Sequence, residues 1–133
     1  MAGVLGSAGL IAFVGSGDLE RSRSFYEKTL GLELVEQNEF ACAFAAPGTM
    51  LRVTAVPEVT RAEYTILGWE VPDIAETVRA LKASGVAFRR YEAMGMDQDE
   101  DDVWTAPNGD RVAWFTDPDG HVLSLTQFTT TEQ

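Results

Sequence analysis

Histidine and cysteine, the usual ligands of zinc and frequent catalytic residues, are scarce, and their scarcity limits the sites that this protein can form. The chain of 133 residues contains one histidine, His121, and one cysteine, Cys42. One chain therefore forms no internal disulfide and no zinc site built from several histidines or cysteines. Cys42 lies in a strand-like run without a histidine to activate it, so we expect a buried, inert thiol. His121 follows a Pro-Asp-Gly turn sequence, which predicts an exposed turn residue rather than a metal ligand.

Carboxylates are numerous but unevenly placed. Asp and Glu number 21 against 10 Lys and Arg, which gives a formal net charge of −11. Such a surface would repel a phosphate backbone, so nucleic acid is excluded as a partner. Six of the eleven residues from 92 to 102 are acidic, which predicts a solvated or mobile loop. This run lacks the glycine spacing and final glutamate of a calcium-binding loop. Outside it, Glu70 is the candidate for a general base.

Two amphipathic helices are predicted to position these groups. The first begins after the N-cap residue Asp18 and ends at Gly31. The second begins after Asp73, where Glu76 completes a capping box, and ends at Gly85. Apolar residues recur along both segments at helical spacing, so one face of each helix is expected to pack on a sheet.

Eight runs of strand-like composition surround these helices. They are residues 10–14, 32–35, 40–45, 50–56, 64–71, 86–91, 111–116 and 122–128. The resulting order is βαβββ, twice, and the helix caps repeat at an offset of about 55 residues. This organisation predicts a single α+β domain, residues 1–133, built from module one (about 8–57) and module two (about 62–129).

The sequence gives no sign of a membrane segment. No apolar run is long enough to cross a bilayer as a helix. The first residues also lack the basic segment of a signal peptide. We therefore expect a cytoplasmic protein with no membrane partner.

Several motifs together resemble those of a known superfamily. They are Asp18-Leu19-Glu20-Arg21-Ser22, Phe25-Tyr26, Leu30-Gly31-Leu32, Trp69-Glu70-Val71-Pro72-Asp73-Ile74 and Phe115-Thr116-Asp117-Pro118-Asp119-Gly120-His121. The pattern covers roughly residues 10–128 and resembles the vicinal oxygen chelate (VOC) superfamily, which contains glyoxalases, bleomycin-resistance proteins and extradiol dioxygenases. The resemblance implies two βαβββ modules whose curved mixed sheets form an open cleft, usually in a homodimer.

The resemblance also implies a divalent metal in the cleft, held by His or Glu at four strand positions. Counting from the helix caps places these positions at Ile11, Arg52, Ile66 and Ser124. Isoleucine has no donor atom, and the fixed charge of arginine repels a cation. We therefore predict that no metal and no other cofactor is bound.

Strand parity then predicts what lines the cleft instead, because alternate residues of a strand point to opposite faces. The predicted ligand-binding residues are Phe13, Met50, Arg52, Ile66, Glu70, Trp104, Trp114, Ser124 and Phe128. An apolar cavity with a few polar groups suits a small organic molecule. The alternative is that these side chains fill the old metal cavity, with Arg52 and Glu70 forming a buried ion pair.

The predicted function is metal-independent binding of a small molecule, of the glyoxalase/bleomycin-resistance type. A homodimeric protein would sequester an amphipathic or cationic compound in its aromatic-lined cleft, as an antibiotic-resistance protein does. One alternative is a metal-free or remodelled glyoxalase-like enzyme, an isomerase or lyase that uses Glu70 or Arg52. Another is a non-catalytic accessory protein with a filled cleft. No catalytic residue is assigned.

Overall fold

The computed structural model describes residues 4–129, so residues 1–3 and 130–133 of the predicted domain lie outside it. The chain forms two compact units, one ending at Thr60 and the other beginning at Arg61. The strands are β1 Leu10–Ser16, β2 Glu33–Gln37, β3 Ala41–Ala46, β4 Thr49–Ala55, β5 Leu67–Glu70, β6 Phe88–Arg89, β7 Trp104–Thr105, β8 Arg111–Thr116 and β9 Val122–Gln127. The α-helices are α1 Leu19–Arg23 and α2 Ile74–Ala83. Among the described residues no helix is both long and apolar enough to span a membrane.

The first unit is a four-stranded sheet with the strand order β1-β4-β3-β2. Strands β1 and β4 pair in parallel, and the other neighbours are antiparallel. Its core face is made by alternate strand residues, among which Val14, Phe44 and Val53 are buried. Burial alternates from Val14 onwards in β1 and around Arg52 in β4, where Phe13 and Arg52 are not buried, whereas Leu10 at the start of β1 is exposed.

The first helix differs from the prediction of one α-helix up to Gly31. As predicted, the Asp18 carboxylate caps it by accepting a hydrogen bond from the Arg21 backbone N–H at 3.2 Å. After α1, however, residues Ser24–Thr29 form a π-helical segment. The Leu30 N–H donates to the Phe25 carbonyl at 2.9 Å, a bond one residue longer than in an α-helix. This wider turn lies where Tyr26 is fully buried against Phe44.

The second unit repeats the pairing scheme of the first. Its sheet has the order β5-β9-β8-β6, and β7 also pairs with β8. Strand β5 runs parallel to β9, with Gly68 opposite Ser124, just as Phe13 lies opposite Arg52 in the first unit. The two βαβββ modules predicted from the sequence thus form equivalent α+β arrangements, and the second has one additional short strand.

Helix α2 begins and packs as its sequence predicts. The Asp73 carboxylate accepts a hydrogen bond from the Glu76 backbone N–H at 3.1 Å. Ile74 and Val78 are fully buried on its inner face. The Gln127 side chain accepts from the Ile74 backbone N–H at 2.8 Å, which ties the start of the helix to the end of β9.

The prediction that His121 is an exposed turn residue is wrong. Its exposed fraction is 4%. The Asp117 carboxylate accepts hydrogen bonds from the backbone N–H groups of Asp119 and His121, both at 2.9 Å. These bonds close the Asp-Pro-Asp-Gly turn, and His121 lies buried at the start of β9.

Candidate functional site

The second unit contains a cavity of about 230 Å³ with a largely apolar lining. We call it the aromatic hollow. It is lined by Glu63, Tyr64, Thr65, Tyr91, Met94, Met96, Trp114 and Val122. The segment before β5, the segment after β6, and strands β8 and β9 contribute to it.

Trp114 is the central ring of the hollow. Its neighbours Ala113 and Phe115 are buried in the core, so strand alternation directs Trp114 to the opposite face of the sheet. The Tyr91 ring contacts it edge to face, with centroids 5.2 Å apart and an interplanar angle of 88°. Trp104 lies on β7, which also pairs with β8. The ring centroids of Trp104 and Trp114 are 6.2 Å apart. Three aromatic rings therefore form one continuous group.

The sheet beside Trp114 carries small residues. Ser124 on β9 lies opposite Trp114, and Gly68 on β5 lies opposite Ser124. A Cβ atom at position 68 would come within 2.9 Å of Ser124 Oγ. Small residues thus continue the row from Trp114 across the sheet, and Ser124 in its middle is buried, with an exposed fraction of 7%.

Met94 and Met96 form another wall of the hollow, and a buried amide holds the segment that carries them. Gln98 accepts a hydrogen bond from the Tyr91 backbone N–H. Its Nε2 donates to the carbonyls of Arg89 and Asp102, both at 2.9 Å. Gln98 therefore fixes the turn that carries the methionines to the strand end that carries Tyr91.

Most of residues 92–102 are exposed, as predicted for a solvated acidic loop, but Gln98 and Asp102 within this segment are buried. The Asp102 carboxylate is buried and pairs with Lys82 Nζ at 2.7 Å and with the Arg90 guanidinium. Arg90 also donates to the Glu92 carboxylate at 2.9 Å and to the backbone carbonyls of Gln98 and Asp99. Lys82 and Arg90 therefore hold Asp102 at the end of the segment, and composition alone does not predict this contact.

These contacts also set the charge state of Asp102. Burial alone would raise the pKa of its carboxyl group. The hydrogen bonds from Lys82 and Arg90 outweigh this effect and hold the pKa below its usual value. Asp102 therefore stays charged at neutral pH and keeps the segment attached to α2 and to the end of β6.

The structure separates the sequence-predicted site residues into groups. Trp104, Trp114 and Ser124 lie together beside the hollow, and Ile66 joins β9 by donating its N–H to the Val122 carbonyl at 3.0 Å. Glu70 and Phe128 line a different surface hollow with Pro72. Glu70 is exposed, which argues against its place in a buried ion pair.

Phe13, Met50 and Arg52 belong to the first unit, where strand register places them on one face of the sheet. Phe13 is 65% exposed, so this face is not a filled core. The role of these three residues in ligand binding remains a prediction.

Sequence reasoning missed Tyr64 and Tyr91 as lining residues. For Tyr91 a signal was available, because Arg89 pairs with Trp114 and residues 89 and 91 share one strand parity. For Tyr64 the predicted strand 64–71 offered the same signal, because residues 64 and 66 share one parity, although the observed β5 begins only at Leu67. Met94 and Met96 were not predicted as lining residues, because their position at the hollow depends on the Gln98 contacts.

The residues at the expected metal positions do not fit a metal. Ile11 and Ile66 have no donor atom, Arg52 is cationic, and Ser124 alone is a weak ligand. Within residues 4–129, no three His, Cys, Asp or Glu side chains come together in a group that could hold a metal ion.

The two βαβββ modules and their parallel first and last strands define the class of protein. The sequence profile of the Glyoxalase/Bleomycin resistance protein/Dioxygenase superfamily matches residues 10–125. The chain belongs to this superfamily, as its helix caps and turn motifs predict.

Solved structures share the fold at low sequence identity. A glyoxalase-related enzyme from Fulvimarina pelagi is 22% identical with a TM-score of 0.70, over 92% of this chain and 88% of that chain. A lactoylglutathione lyase from Agrobacterium tumefaciens is 20% identical with a TM-score of 0.61, over 91% and 93% of the two chains. A glyoxalase/bleomycin resistance protein/dioxygenase from Alicyclobacillus acidocaldarius is 14% identical with a TM-score of 0.67, over 93% of each. At these identities the likeness establishes the fold alone.

Proposed function

We propose that the protein binds a small amphipathic or cationic compound in the aromatic hollow, without a metal, and thereby sequesters it. The observation that supports this is Trp114, a large ring that is only partly buried and is flanked by Tyr91 and Trp104. Aromatic faces provide area for stacking at little cost in side-chain entropy.

The size of the hollow defines how much of a ligand it takes. Its volume of about 230 Å³ is below the roughly 300–1,000 Å³ typical of sites that enclose a drug-sized ligand. One ring or one compact head group fits, and the rest of a larger compound would lie outside. Met94 and Met96 adapt to different shapes because the thioether chain is flexible.

Tryptophan fluorescence tests the proposal, because the three tryptophans differ in position. Trp114 and Trp104 belong to the aromatic group of the hollow, whereas Trp69 stacks on the core residue Phe115 with centroids 6.4 Å apart. Trp69→Phe is therefore a matched control for Trp114→Phe. In a screen of flat amphipathic and cationic compounds, we expect hits that quench the wild type and Trp69→Phe. Trp114→Phe should lose most of the quenching and bind at least about fivefold more weakly by calorimetry.

Two results would contradict the proposal. One is a broad screen without any quenching compound, which would favour an accessory protein whose rings merely pack on each other. The other is equal loss of affinity in Trp69→Phe and Trp114→Phe, which would indicate a general effect on stability. The enzyme alternative rests on Glu70 and Arg52, neither of which lines the hollow.

The proposed setting is the cytoplasm, with the protein acting as a homodimer. Sedimentation equilibrium reports the oligomeric state directly. Removal of a toxic natural product from its target, as in antibiotic resistance, is the proposed biological outcome.

A further inference from the structure

The charges around the aromatic hollow are one-sided. Among the described residues, its lining contains one carboxylate, Glu63, and neither lysine nor arginine. The chain as a whole carries a net charge of −11, so the long-range field also favours cations. An anionic ligand would find no cationic side chain in this lining.

The rings of the hollow provide the second contribution. Tyr64, Tyr91 and Trp114 all line it, and the Tyr91 and Trp114 rings are perpendicular to each other. The negative face of an aromatic ring attracts a cation within about 6 Å, most strongly when the ring is tryptophan. Rings in different orientations can surround a compact cation on several sides. A flat neutral molecule, in contrast, needs only one ring face on which to stack.

From these two features we infer that the hollow takes the tertiary or quaternary ammonium group of its ligand. This inference rests on the proposed function and assigns the chemical class of the group that enters the site. An alkylated ammonium group has the compact size that the cavity admits. Its weak hydration also lowers the cost of moving it from water to an aromatic lining.

Arg89 opposes a bound cation. Its guanidinium carbon lies 5.6 Å from the centre of the Tyr91 ring, so it already uses part of the attraction of that ring and repels a second positive charge. The inference therefore predicts opposite effects for two neighbouring charges. Loss of the Glu63 charge should weaken cation binding, and loss of the Arg89 charge should strengthen it.

The test uses choline and 3,3-dimethylbutan-1-ol, which have nearly the same shape and differ in charge. Binding is followed by NMR at the indole N–H of Trp114 at constant ionic strength. We expect choline to bind about tenfold more tightly than the neutral alcohol. Glu63→Gln should weaken choline binding about threefold and Arg89→Gln should strengthen it about twofold, with the alcohol unchanged in both. Glu33→Gln, at an exposed position on β2, is the matched control and should change neither.

The outcomes separate the two proposals. Equal binding of choline and the alcohol, or no response to Glu63→Gln and Arg89→Gln, overturns the inference and leaves the proposed function standing. Failure of both probes, while flat compounds from the fluorescence screen still bind at Trp114, has the same meaning. Failure of both probes and of the whole screen overturns the proposed function as well.

Discussion

At the scale of single residues, Asp102 combines an unusual backbone with a buried charge. Its φ angle of 63° is the left-handed conformation, which asparagine and aspartate tolerate better than other side chains with a Cβ. Its carboxylate is buried between Lys82 and Arg90. The substitution Asp102→Asn therefore removes the charge with little change in backbone preference, and it isolates the value of the ion pairs.

We expect Asp102→Asn to lower the free energy of unfolding at pH 7 by about 1–3 kcal/mol. Because the folded pKa of Asp102 lies below its ordinary value of 3.8, its stabilising effect is complete above that pH. The effect is lost as the pH falls through the folded pKa, so the difference between wild type and variant should be smaller at pH 3 than at pH 7. Urea denaturation at pH 7 and pH 3 measures both numbers.

The control for this prediction is Asp97→Asn. Asp97 is an exposed residue of the same segment, so its loss should change stability by less than about 0.5 kcal/mol. An Asp102→Asn variant that is equally destabilised at both pH values would show that packing, rather than charge, explains the effect.

At the scale of elements, the sequence predicts those helices and strands that are specified by local periodicity. Helix α2, its Asp73 cap and strand β8 have the predicted positions, because each is specified by residues a few positions apart. Trp114 was placed on the open face of the sheet for the same reason. Strand β7 and the hollow were not predicted, because both depend on how residues 92–102 return to the sheet.

The path of residues 92–102 back to the sheet depends on contacts with residues outside this segment. Gln98 bonds to Arg89 and Tyr91, and Asp102 pairs with Lys82 on α2. In sequence the segment has the composition of a solvated loop. Its partners become visible only when the strands and α2 are assembled, so composition predicts the exposed acidic residues but not the contacts of Gln98 and Asp102.

Arg90 is the residue through which this element is best tested. Its guanidinium contacts Glu92, Asp102 and two backbone carbonyls of the segment. We expect Arg90→Gln to increase proteolytic cleavage within residues 92–102 severalfold, because local opening becomes easier. The same variant should weaken binding of any ligand of the aromatic hollow, since Met94 and Met96 would no longer be held as a wall.

Arg79→Gln is the matched control, since Arg79 also pairs with the segment, through Asp101 at 3.0 Å. This guanidinium is 64% exposed, and exposed ion pairs contribute little. We expect Arg79→Gln to resist protease almost as the wild type does. Equal cleavage of the two variants would mean that net charge, not the Arg90 contacts, orders the segment.

At the scale of the whole molecule, the fold was the most predictable property. The repeat offset of about 55 residues predicts the two modules, and the motifs around Asp18, Asp73 and Asp117 resemble those of the superfamily. The profile match over residues 10–125 confirms that resemblance. Function was less predictable because superfamily members share a scaffold, and activity depends on which side chains occupy its sites.

A metal-binding experiment on the whole protein tests whether this scaffold binds the divalent metal that the superfamily resemblance implies. A metal bound only by the folded protein adds about 2.7 kcal/mol at a hundredfold excess over its dissociation constant, which raises the melting temperature by several degrees. We expect no such rise with Zn²⁺, Ni²⁺, Co²⁺ or Mn²⁺ below millimolar concentration, and no fall after chelation. The reason is that Ile11, Arg52, Ile66 and Ser124 cannot supply the donors that these ions require. A stoichiometric metal in the purified protein, lost together with several degrees of stability on chelation, would show that the four positions were wrongly aligned. It would also move the search for function from the aromatic hollow to that metal.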